Sequence, residues 1–246
     1  MQLKSLYHKI FSKSYNAKSS KEAELHPLMV LDDLKLIYFP IPKVAASSFK
    51  YVFATYLNYD QSVDIRDHNK LHKLIFPSVN RIEIQAGDYD DYLKFTCVRN
   101  PWDRLVSCYK SKIKSNKRYT DIHFKNGVDR RFLYYKVFKA GMSFKTFVHE
   151  VCNIPDIESD FHFRSQYDFV YYNHQILVNH LMKYESLKQD YSEFNSKLGN
   201  KLSELPKMNS TQRKKPTSAF FDHELISLVS KRYDRDFQYF NYPDRP

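Results

Sequence analysis

The residues best suited to chemistry lie in two short stretches, each small, polar and basic. In Lys43-Val44-Ala45-Ala46-Ser47-Ser48 a lysine precedes two alanines and two serines. Small side chains let backbone N–H groups approach an anion, hydroxyls add donors, and a lysine supplies counter-charge. In Arg99-Asn100-Pro101-Trp102-Asp103-Arg104-Leu105-Val106-Ser107 an arginine stands eight residues before a serine. A guanidinium is a fork that fits phosphate oxygens in pairs. Between the stretches lie His68 and His72, and imidazole is the side chain most often used as a base near neutral pH. Of the two, His72 in an apolar-flanked Leu-His-Lys setting is favoured over His68 beside Asp67, with Glu83 and His162 as further candidates. Each residue also has a structural reading: Lys43 as a surface lysine, Ser47 and Ser48 as helix caps, Arg99 as half of an ion pair, the histidines as fold-stabilising groups. Arg104 reads as a helix-surface or ion-pair residue.

Both stretches sit where a strand should turn into a helix. Residues 36–39 are a short apolar run, Pro40 and Pro42 forbid regular structure, and Phe49, Val52, Phe53, Tyr56 and Leu57 resume at helical spacing. Residues 94–99 read as a buried strand; Asn100 is a favoured N-cap and Pro101 a favoured first helical residue. Downstream, Ser143 and Asp222 cap two more helices, and Leu187, Tyr191, Phe194 and Leu198 mark another that stops at Gly199. Residues 168–172 and 176–184 read as extended, and 58–91 as a long polar loop. Strands alternating with helices predict an α/β domain, a central mainly parallel sheet flanked by helices, with its ligand across the strands' carboxyl ends.

The 246 residues, 42% hydrophobic with only four glycines, predict one globular domain over 1–246. Residues 1–30 form an N-terminal extension. Within it Leu3, Leu6, Tyr7, Ile10 and Phe11 share one helical face, either packed on the domain or lying peripherally on a membrane. No apolar run reaches the roughly 18 residues of a membrane span and no signal-peptide core is visible, so a cytoplasmic protein is expected. Three widely spaced cysteines predict buried thiols rather than a disulfide framework or a zinc site. A formal charge of +11 attracts anionic partners without choosing among them. Its scatter, and the lack of a recognisable motif, argue against nucleic acid.

With these residues in place, Pro42-Lys43-Val44-Ala45-Ala46-Ser47-Ser48-Phe49 resembles the 5′-phosphosulfate loop of sulfotransferases that use 3′-phosphoadenosine 5′-phosphosulfate (PAPS). Cys97-Val98-Arg99 through Ser107-Cys108-Tyr109 resembles their 3′-phosphate motif. The chain is most similar to the carbohydrate sulfotransferases of the chondroitin and HNK-1 group and their bacterial relatives. The resemblance implies a P-loop-like sulfotransferase fold and transfer of a sulfuryl group from PAPS to a hydroxyl of a poly- or oligosaccharide or glycolipid, without a metal. It assigns Lys43, Ala45, Ala46, Ser47, Ser48, Phe49, Arg99 and Ser107 to the donor and a histidine or glutamate from the region between the motifs to catalysis beside Lys43, which His72 or His68 would fill. The basic Gln212 to Lys215 loop reads either as a cover for the adenosine, with Arg213 its contact, or as a solvated turn. Phe161-His162-Phe163-Arg164-Ser165-Gln166 is similar to the group's His-aromatic-x-Pro-Gln element, with Ser165 in place of proline. The missing membrane anchor of the Golgi enzymes points to a soluble bacterial-type protein. The alternatives are a nucleotide-dependent kinase of related fold, which the absence of G-x-x-x-x-G-K-[ST] disfavours, and a nucleic-acid-binding protein.

Overall fold

The computed structural model describes residues 27–206, 208 and 215–246. The amphipathic stretch at residues 1–20 and Arg213 lie outside these, and the expected N-terminal extension over 1–30 is corrected at its end, where Leu28–Leu31 form a strand of the central sheet. At the centre is a five-stranded sheet in the order β3-β1-β2-β4-β9, formed by β1 (Leu28–Leu31), β2 (Leu36–Tyr38), β3 (Ser78–Val79), β4 (Leu93–Val98) and β9 (His180–Lys183). Two two-stranded ribbons stand apart from it: β5 (Phe124–Lys125) with β6 (Val128–Asp129), and β7 (Tyr171–Tyr172) with β8 (Gln175–Ile176).

The sheet is mixed, which corrects the expectation of a mainly parallel one. β4 runs parallel to β2 and to β9, whereas β1 is antiparallel to β2 and to β3. The cause is local. Only a single turn at Asp32–Leu34 and Lys35, at φ 49°, separates β1 from β2, and so short a link can only reverse the chain.

Side chains alternate between two buried layers, as a strand's period of two demands. Leu36 and Tyr38 face a core with Phe49, Phe53, Phe95 and Phe194, while Ile37 and Phe39 face a second cluster with Leu28, Val30 and Ile84. Rings interlock in the first core, with centroids 4.8 Å apart for Tyr38–Phe49, 5.1 Å for Tyr38–Phe95 and 4.7 Å for Phe95–Phe194. Phe49, which the resemblance assigns to the donor, is therefore a core residue whose ring packs against Tyr38 of the sheet.

The expected helices follow the two loops: α1 (Ala46–Tyr56) after β2 and α4 (Pro101–Lys112) after β4. Asn100 caps α4 through Trp102 N (3.0 Å). Ser143 and Asp222 cap α5 (Phe144–Asn153) and α8 (His223–Arg232), which meet α4 in a second core with Trp102 and Phe147. α7 (Leu187–Lys197) covers the first core. Two expectations are corrected. Residues 58–91 are not a structureless loop; they hold α2 (His68–Lys73), β3 and α3 (Arg81–Ala86), helices of six residues each, too short to show a periodic stripe. Residues 168–172 are not wholly extended: a turn of helix, α6 (Tyr167–Val170), precedes β7. The last helix is α9 (Asp234–Tyr239). Among the described residues no helix is long and apolar enough to cross a membrane, and Cys97, Cys108 and Cys152 are unpaired thiols.

Candidate functional site

Because β2 and β4 are parallel neighbours, with Tyr38 opposite Phe95, their carboxyl ends emerge side by side. The loop 39–45 and the Arg99-Asn100 turn thus open onto one cavity of about 1840 Å³. Single small-ligand pockets are about 300–1,000 Å³, so this one is larger than one such ligand fills. Lys43, Ala45, Ala46, Ser47, Ser48, Arg99, Ser107, His68, His72 and His162 all line it.

The loop is curled without glycine. Lys43 and Ala45 hold φ of 74° and 69°, a left-handed conformation that costs non-glycine residues on the order of 1–3 kcal/mol each. Fully buried Ile41 and Val44 anchor it, and two arginines hold its carbonyls. Arg104 donates from Nε to Pro42 O (3.0 Å), from Nη1 to Arg164 O (2.7 Å) and from Nη2 to Phe161 O (2.8 Å). At 2% exposure it is a buried carbonyl clamp, not the helix-surface residue its position in the sequence suggests. Arg99 donates from Nη1 to Lys43 O (3.1 Å). Ala45 is the N-cap of α1 and provides no side-chain acceptor, so the first amides of that helix keep donors for an anion.

Lys43 is crowded by protein and by like charge. Burial first, and then Lys112, Arg99 and Arg104, bring its pKa down from 10.5 to about 8. Arg99 and Ser107 are both buried at the cavity wall, and the Arg99 guanidinium lies 4.2 Å from the Tyr184 ring centroid. This cation–π contact leaves an arginine's in-plane donors directed elsewhere.

Two histidine groups face the same space. His72 Nε2 is 3.1 Å from Ser47 Oγ, and its ring lies 4.2 Å from that of His68. Partial burial, then Lys50 and His68, hold His72 below its ordinary 6.5; burial, then His123, does the same for His68. His162 is built differently. Its Nδ1 is 2.6 Å from Asp160 Oδ1, and its side chain is only 13% exposed. Burial pushes it down to about 4 against the opposing effect of Asp160, so its imidazole is neutral at pH 7. Nearby, Asp129 pairs with Lys112 (2.8 Å) and Arg131 (2.9 Å) on the cavity wall. Glu83 is spent elsewhere: its carboxylate accepts from Asn80 N (2.7 Å) in the capping box of α3, and it does not line the cavity.

Sequence reasoning missed the residues that hold Arg99. Gln166 Oε1 accepts from Arg99 N (2.9 Å), and Gln166 Nε2 donates to Arg99 O (2.7 Å). Glu185 accepts from Asn100 N (2.8 Å) and from the Tyr242 hydroxyl (2.8 Å). Gln166 was visible as part of a motif, but its partner, far along the chain, was not.

The sequence model of the Sulfotransferase family matches residues 26–243. Carbohydrate sulfotransferase 14 of Homo sapiens is 34% identical over 98 residues, covering 39% of this chain and 26% of that protein. Carbohydrate sulfotransferase 10 of Rattus norvegicus is 27% identical over 133 residues, covering 50% of this chain and 37% of that protein. Carbohydrate sulfotransferase 11 of Rattus norvegicus is 27% identical over 185 residues, covering 68% of this chain and 51% of that protein. The chain thus spans a quarter to a half of the curated relatives it matches. No solved structure matches it.

Proposed function

The chain belongs to the Sulfotransferase family, and from that premise we propose that it transfers a sulfuryl group from PAPS to a carbohydrate hydroxyl. One observation carries this reading. Two anion-competent strand-to-helix turns open on one cavity, and Arg99 of the second is hydrogen-bonded to Lys43 of the first. A donor with two separated anionic groups suits that pair of turns. PAPS supplies the sulfuryl group: the acceptor oxygen bonds to sulfur, the sulfur–phosphate oxygen bond breaks, and adenosine 3′,5′-bisphosphate (PAP) leaves with that electron pair.

The chain's residues divide the work as follows. The α1 amides at Ala46 and Ser47, with the Ser47 and Ser48 hydroxyls, bind the 5′-phosphate. Lys43 places its ammonium where negative charge grows on the bridging oxygen; comparable donors contribute about 3–4 kcal/mol in other enzymes. Arg99 and Ser107 bind the 3′-phosphate. The acceptor is a carbohydrate by analogy with the named relatives, and Lys110, Lys114 and Ile122 at the cavity wall offer it charge and an apolar surface.

The proton goes to His162. With Nδ1 engaged by Asp160, Nε2 is left as the accepting nitrogen, the arrangement of a carboxylate-oriented base. His72 belongs to the cradle instead. A serine has one proton; once Ser47 gives it to the donor, His72 can keep their bond only by donating from Nε2. His72 then steadies Ser47 and does not offer that nitrogen to the acceptor.

The test is incubation with labelled PAPS and a glycan panel, locating product sulfate by mass spectrometry, for the wild type, Lys43→Ala and Arg99→Ala. Transfer by the wild type and none by folded variants is expected. Stabilisation of the wild type by ATP but not by PAPS overturns the reading.

A further inference from the structure

Arg99 is the first residue past the paired end of β4, where Val98 still lies opposite Lys183 of β9. Gln166 takes the place of a neighbouring strand there. Its side-chain amide exchanges two hydrogen bonds with the backbone N–H and C=O of Arg99. Gln166 is itself held by a carboxylate some seventy residues later in the chain. Asp236 Oδ2 accepts from Gln166 N (2.9 Å) and from Gln166 Nε2 (3.2 Å). Asp236 Oδ1 accepts from Tyr167 N (2.8 Å) and from the Ser165 hydroxyl. Both Gln166 and Asp236 have no exposed surface.

A buried carboxylate must have its lone pairs satisfied, and the four donors around Asp236 do that. The consequence falls on Gln166. With its backbone N–H and its amide nitrogen both drawn to Oδ2, the amide cannot flip, and oxygen faces Arg99 N while nitrogen faces Arg99 O. That orientation fixes the Arg99 backbone, from which the guanidinium reaches both Lys43 O and the Tyr184 ring. We infer that Asp236 is a positioning residue for the 3′-phosphate of the donor, acting on Arg99 through Gln166. The inference rests on the proposed donor site and adds a residue that touches neither substrate. Serine at position 165 fits it, because a proline there could supply neither the backbone N–H that bonds Asp156 nor the hydroxyl that bonds Asp236.

The experiment compares PAP with AMP, which lacks the 3′-phosphate, by calorimetry on the full chain. The wild type is expected to prefer PAP. Asp236→Asn puts an NH₂ group among donors and should lower PAP affinity about tenfold while moving AMP affinity less than twofold. Gln166→Met should do the same, and the two together should cost no more than the larger alone, as residues acting in series do. A merely structural loss would weaken both nucleotides together. Should Asp236→Asn fail to fold, Ser165→Ala removes one of the four bonds and should lower the PAP-to-AMP preference about threefold. Unchanged preference in the folded variants overturns the inference alone. Equal affinity of the wild type for PAP and AMP overturns the donor reading, and the inference with it.

Discussion

In the proposed donor site Lys43 sets function against stability, and a single substitution exposes the conflict. Burial and three neighbouring cations bring its pKa from 10.5 down to about 8. In the unfolded chain it returns to its ordinary value, so at neutral pH the native state bears the cost of keeping it charged. At about 1.4 kcal/mol per pH unit, that cost is about 3 kcal/mol. Lys43→Met keeps an unbranched side chain of similar length on the same left-handed backbone and removes the charge. A domain of this size gains roughly 2–4 °C in melting temperature per kcal/mol. After allowance for imperfect repacking, which costs up to about 1.5 kcal/mol, a rise of about 3–6 °C is expected at pH 7. The sign follows from linkage. Since the folded pKa is the lower one, the unfolded state binds more protons above pH 8, and the wild type recovers stability as pH climbs towards 10.5. The variant's advantage is therefore full below pH 8 and shrinks above it. Transfer from PAPS should meanwhile fall at least about a hundredfold. Calorimetric melting from pH 7 to 9.5 is the assay. A variant no more stable than the wild type at pH 7, or an advantage that stays constant with pH, refutes the reasoning.

Arg99→Lys keeps the charge but loses the fork that reaches Lys43 O and, in the proposed donor site, the 3′-phosphate with it, so PAP affinity should drop about tenfold in a titration with little change in melting temperature. His162→Gln should bind PAP normally and lose turnover, whereas His72→Gln should raise the KM for PAPS and leave kcat within about threefold; the reverse pattern in steady-state kinetics returns the base to His72. Gly127→Ala tests the ribbon beside the site. An added Cβ would stand 2.6 Å from Asn116 O and from Ala140 Cβ on a backbone at φ +75°, so urea unfolding should register a loss above about 2 kcal/mol.

What could be read in the sequence was what neighbours in the chain decide. Asn100-Pro101, Ser143 and Asp222 announce helices because caps act over three residues. The two turns flanking β2 and β4 announce anion chemistry because small residues, hydroxyls and cations cluster within one turn of helix. The mixed sheet was not legible. Antiparallel β1 depends on a tight turn at Lys35 that involves neither glycine nor asparagine. The resemblance assigns Phe49 to the donor as the last residue of its motif, whereas its place in the apolar stripe of α1 sends its ring into the core. Glu83 is spent on the capping box of α3, and Arg104 is buried by carbonyls that come from residues 42, 161 and 164. Long-range partners leave no periodic trace.

Those carbonyl contacts also explain how a cradle forms without the glycines that phosphate loops usually need. Left alone, residues 40–45 would not place Lys43 and Ala45 at positive φ, since nothing in the segment favours it. Here Ile41 and Val44 are buried to zero exposure on one side, and on the other Arg104 and Arg99 bond the oxygens of Pro42 and Lys43. Both arginines belong to the second stretch. The second turn thus holds the curvature of the first loop, and the two turns are coupled through contacts between residues distant in the chain. Loss of Arg104 would relax the loop as well as a packing contact. The chain does not carry two independent motifs that happen to be near each other. It carries one cavity, and the loop that shapes it takes its form only once β2 and β4 are paired.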